Sequence, residues 1–241
     1  MHARLLAGTL IAAAAAAPHA LAPAPAPAAP PATASATAAP NAFGSLGLRL
    51  GDTRYSARWR RVAGAGSGRL RDLVQPARAL AVPAKAEFVN SALNRRIRYR
   101  FDAHPSGDQW ATAGETLSRG AGDCEDYVIA KMHALRALGV PARDLYMTIG
   151  HDASAGIAHA VLLVRAGSQL LVLDNRSDRM VPEAAYRHFY PIISFSAAGD
   201  SWLHGYPRGM TPAYVRGMSA SFADGRHALG NSEASRRPRR A

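Results

Sequence analysis

The sequence predicts an α+β domain in which a helix bearing the chain's single cysteine packs on an antiparallel sheet. Two observations predict the helix. A glycine-bearing turn, Gly120-Ala121-Gly122, runs directly into Asp123-Cys124. After it, Val128, Ile129, Met132 and Leu135 recur at helical spacing. A third observation predicts the sheet: the apolar runs that follow are short, and turn-forming residues separate them. Helix first and strands after is the order of an α+β layout.

Taken in order, Met1-His2-Ala3-Arg4 is a short basic start to the apolar run Leu5–Ala17. That run is too short to span a bilayer, so residues 1–22 read as a secretory signal peptide, with Ala20-Leu21-Ala22 as a small-residue cleavage site and an uncleaved N-terminal anchor as the alternative. Residues 23–41, nearly all Ala, Pro, Ser and Thr, lack the bulky side chains of a core and read as an extended linker. The folded domain is expected over 42–224. Within it, Ala84 to Arg96 predicts a helix with Phe88, Val89, Ala92 and Leu93 on one face, followed by Ile97. The cysteine helix is predicted over 123–138, stopped by Gly139-Val140-Pro141. Strands are predicted over 144–150, 158–165, 169–174 and 191–196. Residues 225–241 carry Arg226, Arg236, Arg237, Arg239 and Arg240 against Glu233 and read as a disordered basic tail.

A lone cysteine has no intramolecular disulfide to make. Cys124 on the first turn of a helix meets the positive end of the dipole and unpaired N–H groups, which favour the nucleophilic thiolate. Its bland alternative is a small buried hydrophobe. A nucleophile needs a base and the base an orienter. His159 begins one apolar run and Asp174 ends the next, with Ala166-Gly167-Ser168 between them. A hairpin there brings the two together. His133 lies too far along the cysteine's own helix to reach the thiol, and His151 falls in a loop, 151–157, of small residues that reads as flexible. Asp178, the rival acid, reads as part of a turn. Cysteine on a helix start with His and Asp on neighbouring strands is the geometry of papain-like and transglutaminase-like enzymes.

The residues that follow carry a more specific resemblance. Asp108-Gln109-Trp110-Ala111-Thr112, Glu115-Thr116-Leu117, Arg119 to Tyr127, Ile129-Ala130-Lys131 and Leu135 to Val140 resemble the bacterial transglutaminase-like cysteine proteinases, the LapG-type periplasmic adhesin proteases. Leu173-Asp174-Asn175, Pro191 to Phe195, Phe88-Val89-Asn90 and Ile97-Arg98-Tyr99 match as well, so the likeness covers roughly residues 42–206. It implies a papain-like fold, a Cys124-His159-Asp174 triad and calcium dependence. It implies cleavage near the N-terminus of a giant surface adhesin, beside a pair of alanines, controlling attachment in biofilms. It also implies sequestration by an inner-membrane receptor that senses cyclic di-GMP. Ala160 stands where methionine is common, and Arg176 where an apolar residue is usual.

Asp123, Glu125 and Asp126 read either as helix caps and dipole partners or as ligands of Ca²⁺. Three carboxylates around a thiol raise its pKa, and a bound cation offsets that charge. The oxyanion is expected on the backbone N–H of Cys124, with the Trp110 indole as a candidate further donor whose favoured alternative is core packing. The net charge of +12 is almost all arginine, since Lys85 and Lys131 are the only lysines. It is scattered and without a binding motif, so nucleic acid is not expected as a partner, and an acidic envelope surface or partner suits it better. The expectation is a monomeric periplasmic cysteine endopeptidase. A transglutaminase or cell-wall amidase, and a non-catalytic periplasmic binding module, are the alternatives.

Overall fold

The computed structural model describes residues 37–66, 68–101 and 109–207. In chain order its elements are β1 (Leu46–Leu50), α1 (Ser56–Gly64), α2 (Gly68–Val74), α3 (Val82–Arg96), β2 (Arg98–Tyr99), α4 (Ala113–Arg119) and β3 (Ala121–Gly122). There follow α5 (Cys124–Ala137), β4 (Leu145–Asp152), β5 (Ile157–Ala166), β6 (Gln169–Leu173), β7 (Val181–Pro182), β8 (Phe189–Ser196) and β9 (Ser201–Gly205). The layout is α+β: helices come first, and seven of the strands form one antiparallel sheet in the order β1-β9-β8-β4-β5-β6-β7. β2 and β3 form a separate parallel pair.

α5 is the helix at the centre. It packs on β4 and β5 on one side and on α2, α3 and α4 on the other. Every residue from Glu125 to Leu135 is therefore buried, not only the apolar stripe. The polar ones have partners: Lys131 Nζ donates to Asn90 Oδ1 at 2.8 Å, and His133 Nε2 meets the Val62 carbonyl at 2.7 Å. The helix stops where the sequence places the stop. Gly139 takes φ +82°, and the Val140 N–H returns to the Leu135 carbonyl at 3.0 Å.

The sheet is buried on both faces, which is why its strands read as continuous apolar runs. Met147, Ile149, Leu162, Val164, Leu171 and Phe195 face the helices. Tyr146, Val161, Leu163, Val172 and Trp202 form a second core on the other side. The N-terminal segment closes that second core. The Tyr146 hydroxyl donates to the Ala38 carbonyl at 2.9 Å, Asn41 Oδ1 accepts from the Gly47 N–H at 2.9 Å, and Ala39, Ala42 and Phe43 pack there. This corrects the expected boundary: residues 37–41 belong to the domain rather than to the 23–41 linker, because the back of the sheet needs a cover. The expected signal peptide (1–22), the linker up to residue 36, the end of the domain (208–224) and the tail (225–241) lie outside the described residues. No helix among the described residues is long and apolar enough to cross a membrane.

Candidate active site

The turn before Cys124 is held from two sides. Gly120 ends α4 in the left-handed region, φ +61°. The Arg98 and Arg100 N–H groups then donate to the Gly120 and Gly122 carbonyls, each at 2.9 Å. Gly122 admits no side chain, since a Cβ there would lie 2.5 Å from Asp126 Oδ2. The Asp126 carboxylate folds back into that space. Its Oδ1 accepts the Ala111 N–H at 2.7 Å and its Oδ2 lies 3.7 Å from Arg119. Asp126 thus ties the segment before α4 to the nucleophile helix.

Cys124 is partly exposed at the first position of α5. Its thiol donates to Glu125 Oε2 at 2.8 Å and receives the backbone N–H of Ala160, the residue after His159. Burial, then the charges of Glu125 and Asp123, push the thiol pKa well up, and the Ala160 N–H pulls it only partly back. Asp123 stands at the N-cap position in extended backbone, but its side chain does not cap the helix.

The hairpin turns at Gly167, φ +63°, as the sequence predicts. Leu162 pairs with Leu173, so Asp174, next in line, and His159 lie diagonally across it. His159 Nε2 and Asp174 Oδ1 are 2.8 Å apart, and both residues are buried. Burial alone would raise the Asp174 pKa. The hydrogen bond and charge of His159, the Tyr186 hydroxyl and Arg176 outweigh it and hold the carboxyl below its ordinary range. With Nε2 on the acid, Nδ1 is the ring nitrogen left for a thiol. Asp178 instead makes an exposed ion pair with Arg95 at 3.3 Å.

Trp110 is fully buried among Tyr55, Trp59 and Phe195, its ring stacked on Tyr55 at 5.8 Å between centroids. These contacts describe core packing, and none of them aims the indole at the thiol. The expected three-carboxylate metal cluster is likewise not formed: among the described residues no group of three His, Cys, Asp or Glu side chains converges as a metal cage. Asp126 is already engaged at Ala111 and Arg119. The loop read as flexible is instead a tight turn, because Asp152 Oδ1 accepts from the Ser154 N–H and hydroxyl at 2.9 and 2.5 Å.

Sequence reasoning did not assign Arg176, Tyr186 and Tyr99 to the site. Tyr186 donates to Asp174 Oδ2 at 2.7 Å and Arg176 Nε donates to the same oxygen at 3.2 Å. Tyr99, half exposed on β2, has its phenol pushed up to about 12 by burial and then by the negative charge of Cys124, Asp123 and Glu125, so it borders the nucleophile. The match of Ile97-Arg98-Tyr99 to the family pattern was the available signal for Tyr99, and the odd arginine at 176 the signal for the other two.

A thiol at a helix start, in contact with the residue after a histidine that is bonded to a carboxylate, on an α+β frame, is the arrangement shared by papain-like and transglutaminase-like enzymes. The chain belongs to the bacterial transglutaminase-like cysteine proteinase (BTLCP) family, whose model matches residues 74–203. Solved structures of Legionella pneumophila LapG are similar. The calcium-bound form is 27% identical with a TM-score of 0.50, covering 68% of this chain and 97% of that one. The EGTA-treated form is 26% identical with a TM-score of 0.51, covering 75% of this chain and 100% of the other. No curated protein sequence matches.

Proposed function

We propose that this cysteine protease is a periplasmic, calcium-dependent endopeptidase that cuts the N-terminal region of a large surface adhesin near an Ala-Ala pair. In this reading an inner-membrane receptor for cyclic di-GMP restrains it, and its release ends attachment in a biofilm. The observation that carries the catalytic part is the 2.8 Å contact between His159 and Asp174, next to the residue whose N–H points at Cys124 Sγ.

His159 accepts the thiol proton through Nδ1, and Cys124 Sγ attacks the scissile carbonyl. The oxyanion gathers at the backbone N–H of Cys124 at the helix start. Asp174 keeps the imidazole oriented and stabilises the imidazolium. His159 then returns the proton to the leaving amine, and the thioester breaks when water, deprotonated by the same imidazole, attacks it. Asp123 and Glu125, both buried beside the thiol, have the donor chemistry for Ca²⁺ and are the residues that would hold it, with Asp126 withdrawn to its structural tie. A bound Ca²⁺ supplies positive charge that offsets these carboxylates and eases thiolate formation.

The test is cleavage of a purified adhesin N-terminal fragment bearing an Ala-Ala pair, with and without EGTA, beside Cys124→Ala. Cleavage that needs Cys124 and calcium is expected. Cleavage by a well-folded Cys124→Ala protein would sink the reading.

A further inference from the structure

Asp174 lies one residue beyond the end of β6, where the ladder no longer holds its backbone. Within the hairpin its side chain meets His159 Nε2 at 2.8 Å, and Asn94 Nδ2 donates to its backbone carbonyl at 2.9 Å. A pair of neighbouring residues supplies a further constraint. The Arg176 backbone N–H donates to Asp174 Oδ1 at 3.1 Å, its Nε donates to Oδ2 at 3.2 Å, and the Tyr186 hydroxyl donates to Oδ2 at 2.7 Å. The far side of the same guanidinium donates to Tyr186 at 3.2 Å and pairs with Asp152 Oδ2 at 2.6 Å.

We propose that Arg176, with Tyr186 as its second arm, is the positioning residue of this active site, clamping Asp174 so that Oδ1 faces His159. This rests on the catalytic assignment of Asp174 made above.

The chemistry favours arginine for the task. A planar fork can satisfy two acceptors in fixed directions, which a lysine ammonium cannot. Asp174 and Asp152 are 5% and 4% exposed, and two carboxylates this deeply buried are costly without a cation between them. Asp152 is itself fixed, since its other oxygen closes the β4–β5 turn. His159 sits on β5, directly after that turn. One guanidinium therefore ties the acid to the same frame that carries the base. Its single positive charge leaves the acid–base group neutral overall once the imidazole is protonated, with Asp152 and Asp174 as the two negative partners.

The experiment compares Arg176→Leu, Arg176→Lys, Tyr186→Phe and Asp174→Asn. Turnover and KM are measured on the adhesin fragment. The hydrogen-bonded imidazole proton of His159 is followed by NMR in the inactive Cys124→Ala background. Arg176→Leu is expected to lower kcat by about 10- to 100-fold with KM little changed, the scale of a small misplacement of a catalytic group. Its imidazole proton should broaden or vanish. Arg176→Lys should recover part of both, and Tyr186→Phe should lose kcat severalfold. A folded Arg176→Leu protein with full kcat and an intact imidazole resonance overturns the clamp. If that variant does not fold, wild-type kcat and resonance in both Arg176→Lys and Tyr186→Phe overturn it. Full turnover in Asp174→Asn would instead sink the catalytic assignment beneath it. An inactive Asp174→Asn with unaffected Arg176 and Tyr186 variants sinks the clamp alone.

Discussion

At the residue scale, the three acids around Cys124 divide: Asp123 and Glu125 act on the thiol, and Asp126 ties two segments together. Asp126 has its oxygens at Ala111 and Arg119, in space that Gly122 leaves open. Asp126→Ala strands a buried N–H and should cost about 1–3 kcal/mol. That corresponds to a melting point lower by roughly 2–12 °C for a domain of this size, whether calcium is present or not. Asp123→Ala and Glu125→Ala should instead abolish the response of activity to calcium, with little change in metal-free stability. A calcium response lost in Asp126→Ala at an unchanged melting point would reverse the assignment. Asp174→Asn should leave substrate binding intact and cut turnover by about 10⁴-fold, as when an imidazole loses its orienting acid. Single-turnover kinetics beside a binding measurement will separate the two effects.

The element that decides the site is α5, buried along almost its whole length. Lys131 lies inside it, bonded to Asn90 Oδ1 with its ammonium 5.6 Å from the Tyr127 ring. Burial lowers its pKa to about 7, against the raising effect of Asp174 and Asp178. The folded chain therefore releases this proton near pH 7, while the unfolded chain keeps it until about 10.5. Between those values the unfolded state binds more protons, so this group makes stability rise with pH. Lys131→Met should flatten that rise, as read from melting temperatures between pH 7 and 10. Identical slopes in the two proteins would show that Lys131 does not titrate in this window. The apolar stripe and the Gly139 stop made this helix legible in the sequence. Its full burial was not legible, because Lys131 and His133 look solvent-facing until α3 and the end of α1 supply their acceptors.

For the whole molecule, the second core on the back of the sheet depends on chain that composition alone assigns to a linker. Truncation through residue 36 should leave the melting point unchanged. Truncation through residue 41 removes the Ala38 and Asn41 hydrogen bonds and the cover over Tyr146, and should lower it by several degrees. Equal melting points would mean that residues 37–41 add no stability. By itself the sequence determined the cysteine helix and its stop, the hairpin, the pairing of His159 with Asp174 and the α+β order, because each rests on local periodicity, a turn or a short span of chain. The tertiary structure alone decided which acid serves as a tie, that Trp110 packs into an aromatic core, that β1 pairs with β9 from the far end of the domain, and that Arg176 reaches both Asp174 and Asp152. Those outcomes depend on which distant surfaces meet, and on burial that turns a charge or an indole from a free side chain into a constrained one.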